Sequence, residues 1–505
     1  MSTATDRRPS LPLFSAAAVS VVGGLWLMLW YWPGALPYDI TSGVWTTLAE
    51  DTIHGQFYRP VHGPLGYGGT RYMPLQFVLH AALMATGVPA ATAGMALTFV
   101  CLALLGICAF RLMRTLAATT PIAWACVALV PASIGFQLLT VAVKADVLAA
   151  ACSAGGLAAA VHWQERGRMR HALLACVCFA AAILAKFTDG FAFAAIVVWL
   201  VVRRQRTKAG VLLAGTLGLV ALGLAAAVWA SEGRIVDAFA ACATGGASFS
   251  YGWRFLAWFT IVAVQDPFFL ALFVAAIIAA RRRWRRNGLD LATCYFVITA
   301  LGTTLIFASP GTDSNHLVDL LVASVAVLAV EISHGSLGGG ARWAASAFAC
   351  AVVATWLPGM PSVRHYFAKI GRPTRAAVEE LAARLTSAGT RRLLSENPLL
   401  PIMLGQRPEV MDCFSLRLVA GRTPSVKTEF LENLSARRYT AVVLQDWSGA
   451  PPSGRWNEIA AHTSLGVETF YGGVHFPPGF LAALDTSYRL SFVAGPFVVF
   501  EPRPR

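Results

Sequence analysis

The chain has 505 residues, of which 56% are hydrophobic and 13% are charged, and its mean hydropathy is +0.60. Soluble domains carry about 25% charged residues, so this composition excludes an ordinary soluble enzyme and indicates a membrane protein. The net charge of +14 comes from short basic clusters between apolar runs, such as 203–206 and 281–286. This is the positive-inside pattern of membrane proteins rather than a nucleic-acid footprint, and no nucleic-acid partner is expected.

A series of apolar runs begins at the N-terminus. Arg7 and Arg8 precede an apolar run over 11–32 that has no small-residue cleavage site, so we expect an uncleaved first helix. Further runs begin near Ala90, Pro121, Val147, His171, Thr188, Ala209, Phe255, Asp290, Leu317 and Arg342. If every basic cluster lies in the cytoplasm, the pattern predicts about eleven spanning helices, with the N-terminus inside and the C-terminus outside.

One apolar segment, from Tyr72 to Val88, does not fit this topology. A span there would place the following basic clusters on the wrong side of the membrane. The segment is short, and its helix would begin at Pro74. We interpret it as a re-entrant or juxtamembrane helix lying in the interface, with a true span as the alternative.

The composition changes after Pro358, where charged residues increase and apolar runs shorten to strand length. The sequence therefore predicts two domains, an all-α polytopic membrane domain over 1–358 and a small soluble α/β domain over 359–505 on the outer face. Within the second domain, periodicity predicts helices over 374–387 and 426–436. Strands are predicted over 438–445 and 490–500.

The connection after the first apolar run is rich in acidic, basic and aromatic residues. Asp39 follows that run closely, and an ionisable group at membrane depth is costly, which favours a functional role. The alternative is that Asp39 caps a helix starting at Ile40, because Asp is a favoured N-cap residue, and the two roles are compatible. The same connection supplies further candidates for substrate binding, namely Arg59, His62, Arg71 and Tyr72.

Lys144 and Asp146 interrupt a stretch that is otherwise apolar over 122–161. The cost of charges in hydrocarbon indicates that they bind something, with a Lys144–Asp146 interaction or solvation at the interface as the alternative. Lys186 and Asp189 lie between two later runs, where a solvated turn is the alternative to a site.

Two more cations lie at predicted outer helix ends, Arg254 and His316. An anionic head group at the bilayer surface needs fixed positive donors, so both residues are candidates for holding a phosphate. The neighbouring Tyr251 and Trp253 are more typical of the aromatic belt at a membrane interface.

The order of these features resembles the GT-C superfamily of polyprenyl-phosphate-sugar-dependent glycosyltransferases. The similarity is greatest to bacterial relatives of protein O-mannosyltransferases and lipid A aminoarabinose transferases. It rests on Asp39 after the first helix, Met73-Pro74-Leu75 at the end of the loop, Asp146 at the start of a later helix, and Lys186 before small and aromatic residues. The resemblance covers 11–332 and extends loosely to 395–398 and 405–408.

The resemblance implies that Asp39 is the catalytic carboxylate, that Asp146 is its partner, and that Lys186 and Arg254 contact the lipid phosphate. Two positions depart from the family pattern. Many members have a second acidic residue where Ile40 stands, and relatives of the aminoarabinose transferases have an acidic residue and a lysine where Arg71 and Tyr72 stand. These departures favour a metal-free base over a divalent metal, which stays the alternative, and give Arg71 a phosphate-binding role.

The expected reaction moves a sugar from a polyprenyl-phosphate donor to a hydroxyl of a glycan, lipid or protein acceptor. The phosphate is already a good leaving group, so the site needs a base for the acceptor and cations for the phosphate. With Asp39 as base and Asp146 orienting it or the acceptor, direct displacement would invert the anomeric centre. The expected setting is the lipid of a bacterial inner membrane, with the C-terminal domain in the periplasm.

Two other functions remain open at this stage. A ligase or polymerase of lipid-linked oligosaccharides would rely on Arg and His rather than on a loop carboxylate, so Asp39→Asn would leave it active. A non-enzymatic transporter or flippase should show paired halves with helices broken at the midplane of the membrane, and charges within the spans.

Overall fold

A computed structural model describes residues 11–31, 39–243, 253–309, 312–334, 372–387, 389, 392–445, 475–495 and 497–504. Most of this chain up to residue 334 is helical. Its helices are α1 (Leu11–Tyr31), α2 (Ile40–Ile53), α3 (Pro74–Met84), α4 (Ala90–Thr115), α5 (Thr120–Leu129), α6 (Ile134–Thr140), α7 (Asp146–Arg166), α8 (Met169–Ala185), α9 (Phe191–Val202), α10 (Arg206–Ala230), α11 (Arg234–Cys242), α12 (Arg254–Gln265), α13 (Pro267–Asn287), α14 (Leu291–Ile306) and α15 (Val318–Ser333). Short 3-10 helices follow α5 at Val130–Ala132 and precede α15 at Ser314–Leu317.

The apolar runs of the sequence form helices. The ten predicted starts from Leu11 to Leu317 each lie within three residues of a helix N-terminus, and the eleventh, at Arg342, lies outside the described residues. By length and composition, four described helices can cross a bilayer, namely α4, α7, α10 and the unit Ser314–Ser333. Two bent pairs and four shorter apolar helices make up the other described runs, so the total of eleven spans stays a prediction.

The predicted interfacial helix is α3, whose 11 residues correspond to about 16 Å of helix. The hydrocarbon core of a bilayer is about 30 Å thick, so α3 is too short to cross it alone. The helix packs against α2, α4 and α8. Its buried His80 hydrogen-bonds through Nε2 to the Ala90 carbonyl at 2.8 Å, which ties α3 to the start of α4.

Two of the apolar runs are bent helix pairs rather than continuous helices. The first bends by 79° between Thr120–Ala132 and Ile134–Thr140, and the second by 113° between Phe255–Gln265 and Pro267–Asn287. The run predicted to begin near Phe255 therefore consists of two helices rather than one. Pro267 has no backbone N–H and restricts the residue before it, so the second helix starts anew there.

One buried carboxylate joins the two bends. Asp266, which is 2% exposed, caps α13 by accepting a hydrogen bond from the Phe269 N–H at 3.0 Å. Its Oδ2 also accepts from Ser133 Oγ at 2.6 Å and from the Gly135 N–H at 3.2 Å, both at the bend before α6. Asp266 thus satisfies backbone donors that the two helix breaks expose, as the low-dielectric interior requires.

The C-terminal residues form a layered α/β unit. Its elements are α16 (Arg372–Ser387), β3 (Leu393–Ser395), α17 (Leu399–Met403), α18 (Cys413–Arg422), α19 (Pro424–Ser435), β4 (Ala441–Gln445), α20 (Phe480–Ser487), β5 (Tyr488–Ala494) and β6 (Phe497–Pro502). The sheet order is β3-β4-β6-β5, with β3 parallel to β4 and the other pairs antiparallel. The predicted helices over 374–387 and 426–436 are confirmed, as are the predicted strands, although the run over 490–500 is a hairpin.

Alternation along β4 builds two apolar layers around this sheet. Val442 and Leu444 face a cluster that includes Phe430 of α19, whereas Ala441 and Val443 face a cluster that contains residues of α16. Successive side chains of a strand point to opposite faces, so a strand buried on both sides reads as a continuous apolar run. This explains why the sequence shows a β-rich run rather than a polar–apolar alternation here.

The α/β unit adds a segment to a small hairpin in the connection between α2 and α3. That hairpin pairs β1 (His62–Gly63) with β2 (Gly66–Tyr67). The Tyr67 N–H donates to the Glu409 carbonyl at 2.7 Å, and the Met411 N–H donates to the Tyr67 carbonyl at 3.0 Å. Gly66 has a φ of +85°, and a Cβ there would meet the Glu409 carbonyl oxygen. Only glycine allows the two backbones to approach so closely.

A buried ion pair reinforces this contact. Arg59, which is 1% exposed, donates from Nε to Asp51 Oδ2 at 2.6 Å and from Nη2 to Asp51 Oδ1 at 2.9 Å. Its Nη1 donates to the Leu65 carbonyl at 3.1 Å and to the Pro408 carbonyl at 2.9 Å. Arg407 also approaches Asp51 Oδ1, at 3.5 Å. Arg59 therefore connects α2, the hairpin and the C-terminal unit.

We predict that Arg59→Ala lowers the thermal stability of the purified protein in detergent. Removing one partner of a buried pair leaves the Asp51 carboxylate without its bidentate donor, at a cost of about 3–5 kcal/mol. The matched control is Arg384→Ala, because Arg384 forms an exposed i,i+4 pair with Glu380 in α16, and such pairs contribute about 0.3–0.5 kcal/mol. Equal melting temperatures for the two variants would contradict this role of Arg59.

Candidate active site

Asp39 lies at the N-terminus of α2, where two Ser42 groups hold its carboxylate. The Ser42 N–H donates to Asp39 Oδ1 at 3.0 Å, and the Ser42 hydroxyl donates to Asp39 Oδ2. Lys144 Nζ lies 3.5 Å from Asp39 Oδ1, and both side chains are largely buried. Asp39 thus caps α2, as one interpretation predicted, and also forms an ion pair with Lys144; its functional role stays a prediction.

Ser42 also connects Asp39 to the connection that carries Lys144. The Val143 N–H donates to Ser42 Oγ at 2.8 Å, so the chain before Lys144 is fixed to the first turn of α2. The alternative was a Lys144–Asp146 interaction, but each of these residues has a different ion-pair partner. Lys144 Nζ pairs with Asp39, whereas Asp146, which begins α7, pairs with Lys186.

Asp146 is 4% exposed and pairs with Lys186, whose Nζ lies 2.5 Å from Asp146 Oδ1. The Asn315 amide donates to the same oxygen at 2.8 Å. Lys186 follows the last residue of α8, and Asn315 lies in the 3-10 helix before α15. Asp146 therefore positions Lys186, and the geometry joins it to this lysine rather than to Asp39.

The cationic side chains converge on His316. Lys186, Lys144 and Arg71 all act electrostatically on the His316 ring, as does Asp146. These residues come from four separate parts of the chain, and they meet at one end of the helix bundle. We call Arg71, Lys144, Lys186 and His316, together with Asp39, Asp146 and Tyr72, the site cluster; within it Lys144 pairs with Asp39 and Lys186 pairs with Asp146.

Tyr72 lies near the cations of the site cluster and packs against α2. Its ring stacks on Trp45 of α2 with a centroid distance of 4.5 Å and an interplanar angle of 16°. Burial raises the pKa of the Tyr72 phenol well above its ordinary value, and the charge of Asp412 adds to this effect, whereas Arg71 and Lys144 act in the opposite direction. Tyr72 is therefore a neutral hydroxyl near the site cations.

The C-terminal unit supplies residues to this region that sequence reasoning missed. Asp412 caps α18 through the Phe414 N–H at 3.0 Å and is close enough to act on Tyr72. The Arg71 guanidinium lies over the Phe414 ring at 4.9 Å, which is a cation–π contact. Neither residue carries a local signal, because an Asp at the N-cap and an aromatic residue two positions later are ordinary in soluble helices.

Three other candidates lie elsewhere or are not described. The donors of Arg59 are directed to protein acceptors, as described above, so it is not part of the site cluster. His62 Nε2 faces Glu429 of the C-terminal unit at 3.1 Å, on a partly exposed surface. Arg254 begins α12, but its side chain lies outside the described residues.

The residues present do not fit a resident metal ion. Within the described part of the chain, no group of three or more His, Cys, Asp or Glu side chains could hold one. Each of the two candidate carboxylates is already paired with a lysine ammonium, which would compete with a divalent cation. We therefore assign no step to a metal.

Comparisons with known proteins add information at the level of the fold. No protein-family model matches the chain, and no curated protein sequence matches it. Among solved structures, ArnT from Cupriavidus metallidurans bound to undecaprenyl phosphate is 12% identical, with a TM-score of 0.57 over 97% of this chain and 98% of that chain. The archaeal oligosaccharyltransferase AglB from Archaeoglobus fulgidus, in complex with an inhibitory peptide and a dolichol-phosphate, is 11% identical, with a TM-score of 0.54 over 96% and 74%.

A third structure is the Archaeoglobus fulgidus oligosaccharyltransferase tethered to an acceptor peptide with the NVT sequon. It is 11% identical, with a TM-score of 0.55 over 90% of this chain and 71% of that chain. Identities this low show the fold alone. ArnT and AglB are both GT-C proteins, so the fold that the resemblance in the sequence implies is confirmed, and the chain shares the fold of these two proteins.

Proposed function

We propose that the chain is a glycosyltransferase that moves a sugar from a polyprenyl-phosphate donor to an acceptor hydroxyl. The observation that carries the proposal is that Lys144 and Lys186 each pair with a carboxylate, and that both lysines and Arg71 act electrostatically on the same residue, His316. Fixed cations beside a membrane suit the phosphate of a lipid. ArnT binds undecaprenyl phosphate and AglB binds a dolichol-phosphate, which supports this donor class.

In this proposal Asp39 is the general base. Its carboxylate removes the proton of the acceptor hydroxyl as the acceptor oxygen bonds to the anomeric carbon. The bond between that carbon and the phosphate oxygen breaks, and the phosphate leaves with the electron pair, so one displacement inverts the anomeric centre. The hydrogen bonds from Ser42 fix the orientation of the carboxylate before the reaction begins.

Lys186 would hold the departing phosphate. Asp146 fixes the position of Lys186, because its Oδ1 accepts hydrogen bonds from the Lys186 ammonium and from the Asn315 amide. Developing negative charge on the phosphate is best stabilised by groups that are already oriented. Lys144 interacts with both carboxylates of the site cluster. It pairs with the proposed base, Asp39, and acts electrostatically on Asp146, which holds Lys186.

The ends of the helices support one orientation in the membrane. α7 begins at Asp146 and ends at Arg166, and α13 ends in the basic residues 281–286. The site cluster and the basic clusters thus lie at opposite helix ends. Because basic clusters favour the cytoplasm, we propose that the site cluster and the C-terminal unit face the periplasm of a bacterium.

The bent helix pairs do not favour a transporter. α13 begins directly after its bend and ends in the basic residues 281–286. The bend therefore lies at the end of α13 that is opposite to the basic cluster. Broken helices of transporters instead expose their ends near the midplane.

We predict that Asp39→Asn lowers kcat by about 10²–10⁴-fold, the usual contribution of a positioned base. Asn is also a good N-cap, so α2 should keep its stability. The assay would offer radiolabelled polyprenyl-phosphate sugars and membrane extracts to purified enzyme. The control is Asp313→Asn, an exposed carboxylate that caps the 3-10 helix through Ser314. Full activity in Asp39→Asn would overturn the assignment in favour of a ligase, and no transfer from any donor would overturn the proposed function.

We predict that Lys186→Gln raises the KM for the donor about 10-fold or more, because a charge-assisted hydrogen bond to the phosphate contributes about 1.5–3 kcal/mol. The control is Lys208→Gln. Lys208 donates to Gln164 Oε1 at 2.7 Å near the opposite ends of the helices, so its loss should leave the donor KM unchanged. If both variants retain the wild-type KM, Lys186 does not bind the phosphate.

A further inference from the structure

A second group of polar side chains lies next to Lys186 and has no part in the proposed reaction. Asp189, in the connection between α8 and α9, is 4% exposed, and Asp319, in the first turn of α15, is 1% exposed. Tyr295 of α14 is fully buried nearby. The alternative that Asp189 belongs to a solvated turn is therefore wrong.

These buried groups lack the partners that ionised side chains need. Among the described residues, no N–H or O–H group donates to Asp189 Oδ2 or to either carboxyl oxygen of Asp319, and the Tyr295 hydroxyl also has no partner. Buried polar groups are almost always hydrogen-bonded, and an unpaired buried charge costs several kcal/mol. Two separate carboxylate anions are thus a poor description of this pair.

The two carboxyl groups contact each other closely enough to form a side-chain hydrogen bond. An ionised carboxylate only accepts hydrogen bonds, so the contact requires a proton on one of the two groups. Two neighbouring negative charges also repel each other, which disfavours the state in which both carboxyl groups are ionised. One proton between them satisfies the hydrogen bond and removes one of the two buried charges.

We propose that Asp189 and Asp319 share one proton and act as positioning residues that keep Lys186 directed toward the phosphate of the lipid donor. This inference rests on the proposed function, in which Lys186 binds that phosphate. Lys186 interacts electrostatically with both carboxyl groups as well as with Asp146. With the proton present, the pair carries one negative charge. When the proton leaves, a second negative charge draws the ammonium away from the phosphate and repels the donor.

The side chains around the Asp189–Asp319 pair keep a constant charge near neutral pH, so the pair is the group whose charge changes there. Lys186, Asp146, Tyr295 and the Cys152 thiol face it from neighbouring elements. Tyr and Cys are neutral near neutral pH, and Lys and Asp are charged. Burial raises the pKa of Asp189 to about 6, with Lys186 opposing the rise and Asp146 adding to it. Because two like charges at one place repel, the second proton of the pair leaves at a higher pH than the first.

The test measures the KM for the donor between about pH 6 and pH 9, on either side of neutrality. In the wild type, KM should rise about tenfold toward alkaline pH as the proton is lost, while kcat changes less. In Asp319→Asn, KM should stay low and flat, because the amide donates to Asp189 at every pH. The matched control is Asp237→Asn, an exposed carboxylate in α11 that should retain the wild-type profile. A wild-type KM profile in Asp319→Asn would overturn the proposal.

A second measurement does not depend on transfer. Infrared spectra of protein with carboxyl-labelled aspartate should show a protonated carboxyl band at neutral pH that is lost in Asp319→Asn and in Asp189→Asn but kept in Asp237→Asn. Having two variants guards against failure of one to fold. Survival of the band in both would overturn the shared proton, and its loss without a change in the KM profile would overturn the positioning role. If no donor is transferred, the proposed function and this positioning role fail, and the band still decides whether the proton is shared.

Discussion

The site depends on the cost of placing charged groups at the end of an apolar helix bundle. A single buried ion is expensive, so each carboxylate is stable there only beside a cation. Asp39 is paired with Lys144, and Asp146 is paired with Lys186 at 2.5 Å. A lipid phosphate is also an anion, so it could interact with the same two lysine ammonium groups. The ion pairs that stabilise the carboxylates therefore also supply the positive charge that an anionic ligand needs.

The bends of the helices place these pairs. α6 leaves the axis of α5 at a bend of 79° and leads directly to the connection with Lys144. Asp266 holds this bend through Ser133 and Gly135 and caps α13 at the second bend. The C-terminal unit then covers the same end of the bundle, because its backbone extends the hairpin of Tyr67 and its Asp412 acts on Tyr72. The bent helices and the C-terminal unit thus both contribute to the position of the site cluster.

Much of this architecture was predictable from residue patterns, because apolar runs and β-rich runs are local signals. Asp39 and Lys186 could be named as candidate site residues from the sequence, because charged residues next to apolar runs are rare. The pairing was not predictable, since Lys144 and Asp146 are close in sequence yet face opposite partners. The bends were missed because hydropathy does not distinguish a straight helix from a broken one. Asp319 was overlooked although an acidic residue inside an apolar run is itself a signal.

The most direct test of the central claim is a structure of the protein in lipid nanodiscs with undecaprenyl phosphate, determined by electron cryomicroscopy. The account predicts density for the phosphate in contact with Lys186 and near Arg71, at the end of the bundle covered by the C-terminal unit. Phosphate density at the basic helix ends near 281–286, or a saturated sample with an empty site cluster, would contradict the account.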